Sequence, residues 1–325
     1  MTMRKLAMFG LVVSLALTIG VAAQAADYPT HPVKLIVPTA PGGINDIVAR
    51  LIQPGLTEAL KQPIVIENKT GANNIIGTEF VAKSAPDGYT LVVVPASHSV
   101  NPAVRTDMPF NTEKDLSPII LVGKNAMLFL VNPGVPAKTL REFAALAKAS
   151  PNKFSFATPG TASQSHLVIS QWDNMAGVEA TQIPYRGGAP ATLATISGET
   201  QFTVMSSLLA APQVEAGKLR ALAIGSLHRD PHFPDVPTMS EAGYPGIEAV
   251  TWVGLFAPAG TPREIVTRLN KAIDRIIHEP DTAAKLDKQG IVIAGGPPEV
   301  LGRLVDEEIK RWTEVARQNH ISVGR

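Results

Sequence analysis

The chain has 325 residues, 45% hydrophobic and without cysteine, and carries 29 Lys and Arg against 28 Asp and Glu. Such a near-neutral mixture has no electrostatic footprint for nucleic acid or anionic lipid, and the missing cysteine excludes disulfide staples, a thiol nucleophile and a lipidated cysteine. The length accommodates two α/β lobes of ordinary size.

In chain order, residues 1–25 read as an export signal. Arg4 and Lys5 form a basic start, 6–21 is uncharged and apolar, and Ala23-Gln24-Ala25 offers the small residues that a signal peptidase reads. The apolar run is shorter than the ~20 residues of a spanning helix, so a cleaved leader is expected, with the mature chain starting at Ala26 or Asp27. Cleavage takes Lys plus Arg from 29 to 27 and the net charge from +1 to −1.

An apolar strand pattern at 33–37 then enters Pro38-Thr39-Ala40-Pro41-Gly42-Gly43-Ile44-Asn45-Asp46, and a helical pattern with Ile47, Val48, Leu51 and Ile52 on one side leaves it. Prolines stiffen this turn, glycines bare its backbone, and Asn45 or Asp46 can cap the helix, so free N–H groups should converge where the helix dipole is positive. The glycine spacing is neither GxGxxG nor GxxxxGK[ST], which favours a carboxylate over a nucleotide phosphate as occupant. An ordinary strand-to-helix turn is the alternative. Pro54-Gly55 predicts a kink, or two short helices, within 46–60.

Further strands are expected at 64–67 and 91–94 and a helix at 75–83, with loops at 68–74 and 95–102. Strands alternating with helices indicate a parallel sheet, whose ligands sit beyond the carboxyl ends of the strands, where these loops lie. The pattern restarts at 127–131. Thr139 and Glu142 form a capping box for a helix to about 149, and 154–157 is a strand leading into the hydroxyl-rich run Thr158 to His166. A helix ends near 175–177, strand 181–183 leads to Tyr185-Arg186-Gly187-Gly188, and Pro190 suits the first turn of another helix. Segments 202–205 and 219–224 complete a second parallel set, and 248–257 is one or two strands. In the tail, Thr261 can cap, Pro262 fits the first helical position and Glu264 closes a box. Helices at 262–277, 281–289 and 298–318, with a short strand at 291–294, should pack back onto the first lobe. The chain then crosses between lobes twice, near 124–127 and 249–254, which makes a hinge.

Catalytic signatures are weak: there is no GxSxG and no HExxH. His228 and His232 have i,i+4 spacing, but Pro231 lies between them and argues against a helix and a metal pair. No metal or cofactor is expected. His98 and His166 are either ligand contacts or structural groups, and Arg186 either a carboxylate clamp or a surface charge. Tyr185 is either packing or a pocket wall, Ser163 reads as a helix cap, and Trp172, Trp252 and Trp312 as core.

Taken together, Tyr28-Pro29, Pro38-x-x-Pro41-Gly42-Gly43-x-x-Asp46, Pro86-Asp87-Gly88-Tyr89, Asn101-Pro102, Ser165-His166, Pro184-Tyr185-Arg186-Gly187, Ala216 to Leu222, Pro234-Asp235-Val236-Pro237-Thr238 and Ala257 to Pro262 form a series along the whole mature chain. It resembles the Bug-type receptors, extracytoplasmic solute-binding proteins of tripartite tricarboxylate transporters. The resemblance implies a periplasmic, monomeric, two-lobed α/β binding protein of Venus-flytrap, type II-like form, with parallel-sheet lobes joined by a hinge. Its first lobe would comprise 26–126 plus 251–325 and its second 127–250. A small organic acid would be its ligand and integral-membrane transporter subunits its partners, with no nucleic acid involved. By position, the contacts would be Thr39, Ala40, Gly42, Gly43, Asp46, Ser97 and His98 from the first lobe. From the second they would be Thr158, Gly160, Thr161, Ser163, His166, Tyr185, Gly188 and Ser206. Thr39-Ala40, Asn73-Asn74 and Met205 depart from the family pattern, in which the last position is often acidic, so the expected ligand lacks an amine. An exported enzyme with His98 or His166 as base is the competing reading, and a scaffold protein a third.

Overall fold

Apolar runs bounded by Gly, Pro and Asn become the strands of one mixed sheet. The computed structural model describes residues 28–323, and the expected signal segment lies outside the described residues. In the first half, β1 (Val33–Val37) is flanked in parallel by β2 (Ile64–Asn68) and β3 (Thr90–Pro95). Helices α1 (Ile44–Leu60) and α2 (Ile75–Ala82) connect them, and α3 (Ser97–Val104) follows β3.

The sixteen-residue β4 (Leu116–Val131) then runs through both halves of the sheet. At ~3.3 Å per residue it extends about 50 Å. Its first part pairs with β9 (Val250–Pro258) and with β10 (Val292–Ile293); its last five residues pair with β7 (Phe202–Ser206). In the second half, β5 (Ser155–Thr158) is flanked in parallel by β6 (Thr181–Pro184) and β7, while β8 (Arg220–Ile224) lies on the other side of β4. The helices here are α4 (Leu140–Lys148), α5 (Gln164–Ala176), α6 (Gly188–Ser197) and α7 (Ser207–Glu215).

Both halves therefore share one plan. The orders β2-β1-β3-β9-β4 and β6-β5-β7-β4-β8 match, and in each the fourth strand, which has just crossed from the other half, runs against the rest. This corrects the expectation of purely parallel sets. Apolar periodicity reports burial but not strand direction, which the two crossings decide.

Several local expectations also change. Residues 46–60 form one helix rather than two short ones: α1 continues through Pro54, and Gly55 allows a close approach, since a Cβ there would lie 2.9 Å from Ile276 Cγ1. Gly43, not Asn45 or Asp46, is its N-cap. The 95–102 loop is instead the start of α3, which contains Pro102, and α7 contains Pro212. Each proline removes one ladder bond, which packing offsets. The first part of β4 falls outside the strands expected from the sequence, although Ile119 to Val122 is an apolar run; the structure absorbs the preceding Pro118 at a register shift. Thr139 and Glu142 do form the capping box, at 3.1 and 3.3 Å. Thr261, by contrast, donates to Pro258 O at 2.7 Å, and Pro262 is the N-cap of α8 (Arg263–His278).

The first core joins β1, β3 and α1 to Leu269, Ile273, Ile276 and Ile277 of α8. The second is an aromatic nest of Phe129, Phe143, Trp172 and Phe202, with centroids 4.8 to 6.0 Å apart. After α9 (Pro280–Asp287), the last helix, α10 (Pro298–Gln318), contributes Leu301 and Val305 to a first-half core and Trp312, Val315 and Ala316 to the second. The tail thus packs on both halves, not on the first alone, because 21 helical residues span about 30 Å.

At the crossing, β4 is laced to the end of β8 and to the start of β9. Met127 N donates to Ala249 O, Ala249 N to Gly225 O, and Gly225 N to Met127 O, at 2.9, 3.0 and 2.8 Å. A Cβ on Gly225 would collide with the backbone of Ala249. Gly225→Val should lower unfolding free energy by about 2 kcal/mol or more, as overpacking does, read from the urea midpoint.

Candidate functional site

A cleft of about 360 Å³ opens between the halves, at the crossing strands. Its lining includes Ile44, Asn73, Pro95 and Ser97 from the first half, Met127 and Thr251 from the crossings, and Ser163, Gln164, Gly188, Met205, Ser206 and Leu209 from the second. These positions share a feature that their sequence separation hides. Ile44 and Ser97 are the first residues of α1 and α3, Ser163 and Ser206 the N-caps of α5 and α7, and Gly188 the first residue of α6. Five helix N-termini thus meet at one cleft, and none of the lining residues is charged.

A helix start leaves N–H groups outside its own ladder and carries a partial positive charge, each end contributing about 0.3–1 kcal/mol toward an anion. The first seat is nonetheless built differently from expectation. Gly42 N donates to Asp46 Oδ2 at 3.0 Å and Gly43 N to Ala40 O at 3.2 Å, so these two amides are engaged within the loop. Gly42 has φ +81°, a left-handed turn that glycine adopts without strain. The amides outside the α1 ladder are those of Ile44, Asn45 and Asp46. Thr39 Oγ1 and both polar atoms of the Asn45 side chain are buried at this turn without a protein partner.

Asp46 does not point its carboxylate at the cleft. Oδ2 accepts from Gly42 N and from Arg50 Nε at 2.9 Å, and Oδ1 from Arg50 Nη2 and Asn68 Nδ2, each at 3.0 Å. Asn68 Nδ2 also donates to Thr39 O at 3.0 Å, so one carboxylate anchors the whole turn. The Arg50 hydrogen bonds above all, with those from Gly42 and Asn68, hold its pKa down to about 2.

His98 is buried in α3 against Phe256, 4.8 Å between ring centroids, and burial pushes its imidazole down to about 3. Thr158 is fully buried, donating to Gly160 O at 3.0 Å and accepting from Gln182 Nε2 at 2.8 Å. His166 Nδ1 accepts from Ala162 N at 3.1 Å, and burial lowers it to about 4. Tyr185 packs beside α6 and α7 with its hydroxyl shielded; burial first, and then Glu199, push it up to about 12. Of the positions carried over from the resemblance, the structure brings Ser97, Ser163, Gly188 and Ser206 into the lining. Thr39, Ala40, Gly42, Gly43, Gly160 and Thr161 sit on the two loops beside it, with Ala40, Gly42 and Thr161 exposed. Arg186 is exposed and is not among the lining residues.

Sequence reasoning missed Ile44, Gln164, Leu209 and Thr251 as lining residues. It also gave Asn73 and Asn74 no structural role. Ala72, Asn73 and Asn74 all have positive φ, and the two Asn side chains dock on α3: Asn73 Nδ2 donates to Asn101 Oδ1 and Asn74 Nδ2 to Ser97 Oγ, both at 2.7 Å. An Asn-Asn pair ahead of a helix was a readable signal for that left-handed turn.

A mixed α/β sheet in two like halves, with an uncharged cleft between them rimmed by helix N-termini, defines the class of solute-binding proteins. The chain belongs to the tripartite tricarboxylate transporter family receptors, whose family model matches residues 48–321. Protein BugT of Bordetella pertussis is 34% identical over 319 residues, 97% of each chain. Among solved structures, MatC from Rhodopseudomonas palustris with bound malate is 36% identical with a TM-score of 0.78, covering 89% of this chain and 99% of that one. Rpa4515 of R. palustris with adipate is 32% identical with a TM-score of 0.81, covering 91% and 99%.

Because the folded pKa of Asp46 is depressed, its contribution is present above the unfolded value near 4 and is lost as pH falls toward 2. Asp46→Asn should cost about 1.5–3 kcal/mol at neutral pH and flatten the loss of stability between pH 4 and 2, measured by urea unfolding across that range.

Proposed function

We propose that this protein is a periplasmic receptor that captures a small organic carboxylate, one without an amine, and delivers it to the membrane subunits of a tripartite tricarboxylate-type transporter. The observation that carries the reading is the convergence of five helix N-termini, from both halves, on one cleft lined by no charged side chain. Such a site stabilises an anion through fixed amide dipoles and offers no carboxylate to hold an ammonium, since Met205 lines it where an acid could stand. The family membership and the relatives solved with malate and adipate support the same class of ligand.

On this reading, residues 26–126 with 251–325 and residues 127–250 act as lobes, and the laced backbone at Met127, Gly225 and Ala249 acts as the hinge between them. Ser97, Ser163, Gly188 and Ser206 contact the ligand directly. Thr39, Ala40, Gly43, Gly160 and Thr161 approach as the lobes close, while Asp46, His98, Thr158 and His166 brace the loops. Closure is favoured only to the extent that the ligand binds the closed form better. The protein works as a monomer, without cofactor or covalent step.

The enzyme reading would need a base at the ligand. His98 is packed against Phe256 in the core, and His166 has its Nδ1 lone pair engaged. Calorimetry on the mature chain should find binding of mono- or dicarboxylates and none of amino acids, with mass spectrometry recovering the acid unaltered. Tight amino-acid binding would overturn the ligand class, and turnover would overturn the receptor. Gly43→Val, whose Cβ would lie 3.3 Å from Ala40 O, should weaken acid binding by roughly tenfold or more, the effect of losing about 1.4 kcal/mol of contacts, with the fold retained; unchanged affinity would remove this turn from the site.

A further inference from the structure

Part of the second-half wall of the cleft, at Gly188, Met205 and Leu209, is apolar. A Cβ placed on Gly188 would lie 2.7 Å from Leu209 Cδ1 and 3.7 Å from Met205 Sδ, so these three residues are neighbours along the lining, and Ile44 and Met127 add apolar surface elsewhere in the cleft. Meanwhile the side-chain amide nitrogens of Asn73 and Gln164, and Ser97 Oγ, are engaged with the protein. Asn73 Nδ2 donates to Asn101 Oδ1 at 2.7 Å, Gln164 Nε2 donates to Val250 O at 2.8 Å, and Ser97 Oγ accepts from Asn74 at 2.7 Å. The donors left over are chiefly first-turn amides and short hydroxyls, which suit a carboxylate head.

Resting on the receptor reading above, we infer that the ligand is an organic acid whose carbon body bears no hydroxyl groups, its hydrocarbon lying on the Gly188, Met205 and Leu209 wall. A hydroxyl set against that wall gives up its water without gaining a partner, which weakens binding by about ten- to a hundredfold.

Matched pairs test this directly: succinate against malate, and adipate against galactarate, titrated calorimetrically into the wild-type protein. In whichever pair binds, the unsubstituted acid should be tighter by roughly tenfold or more. Leu209→Asn should narrow that gap and Met205→Leu, which keeps the wall apolar, should leave it. A hydroxylated acid that binds as tightly as its unsubstituted partner overturns this inference while leaving the receptor intact. If neither pair nor a wider panel of mono-, di- and tricarboxylates binds, the receptor reading falls and the inference with it.

Discussion

An anion can leave water only if something of opposite sign meets it, and the cleft of this protein has no cationic side chain to do so. The opposite sign comes from the backbone. Five helix starts supply it, and each exists only because a strand ends and a helix begins at the same edge of the sheet. Much of the architecture serves to bring those starts together. The repeated plan β2-β1-β3-β9-β4 and β6-β5-β7-β4-β8 places equivalent strand-to-helix turns on facing halves, and the exchanged strands β4 and β9 hold the halves in register.

Backbone donors are useful only when their loops are held, and the side chains that look most chemical do the holding. Asp46 is the anchor of the first turn, through Gly42, Arg50 and Asn68. In the second half Thr158 with Gln182, and His166 with Ala162, do the same with neutral groups. Burial lowers both histidines, so each stays uncharged near neutral pH and neither adds a cation to the site. The brace residues work behind the anion seat rather than in it.

Behind the crossing strands a different network ties the frame together. Thr251 lines the cleft, and the adjacent Trp252 is buried, donating from Nε1 to Glu308 Oε2 at 2.8 Å. Ser99 Oγ donates to the same oxygen at 2.5 Å, and Arg311 Nη2 donates to Oε1 at 3.3 Å. Burial raises the Glu308 carboxyl while the Ser99 and Trp252 bonds oppose that rise. One side chain of α10 thereby joins α3, whose first residue lines the cleft, to the return strand β9. Alternation along β9 puts cleft and brace on opposite faces of a single strand.

The sequence by itself determined the strand positions at 33–37, 64–67, 91–94, 181–183 and 202–205 to within a residue or so, the Thr139 and Glu142 capping box, the buried tryptophans and the long last helix. Each of these is written in local apolar spacing or in cap chemistry, which neighbours in the chain settle between themselves. The family was legible too, because its motifs fall in turns whose residues serve the backbone locally. Only the tertiary structure decided that β9 and β4 run against their neighbours, that α3 and α7 form despite Pro102 and Pro212, and that α10 spans both cores. It also decided which residues face the cleft. Asp46 and His98 look like ligand groups in the sequence, but their side chains are turned into the frame, whereas Leu209 and Thr251 gave no local sign of their place in the lining. Facing direction follows from packing between segments far apart in the chain, and periodicity within a segment carries no record of it.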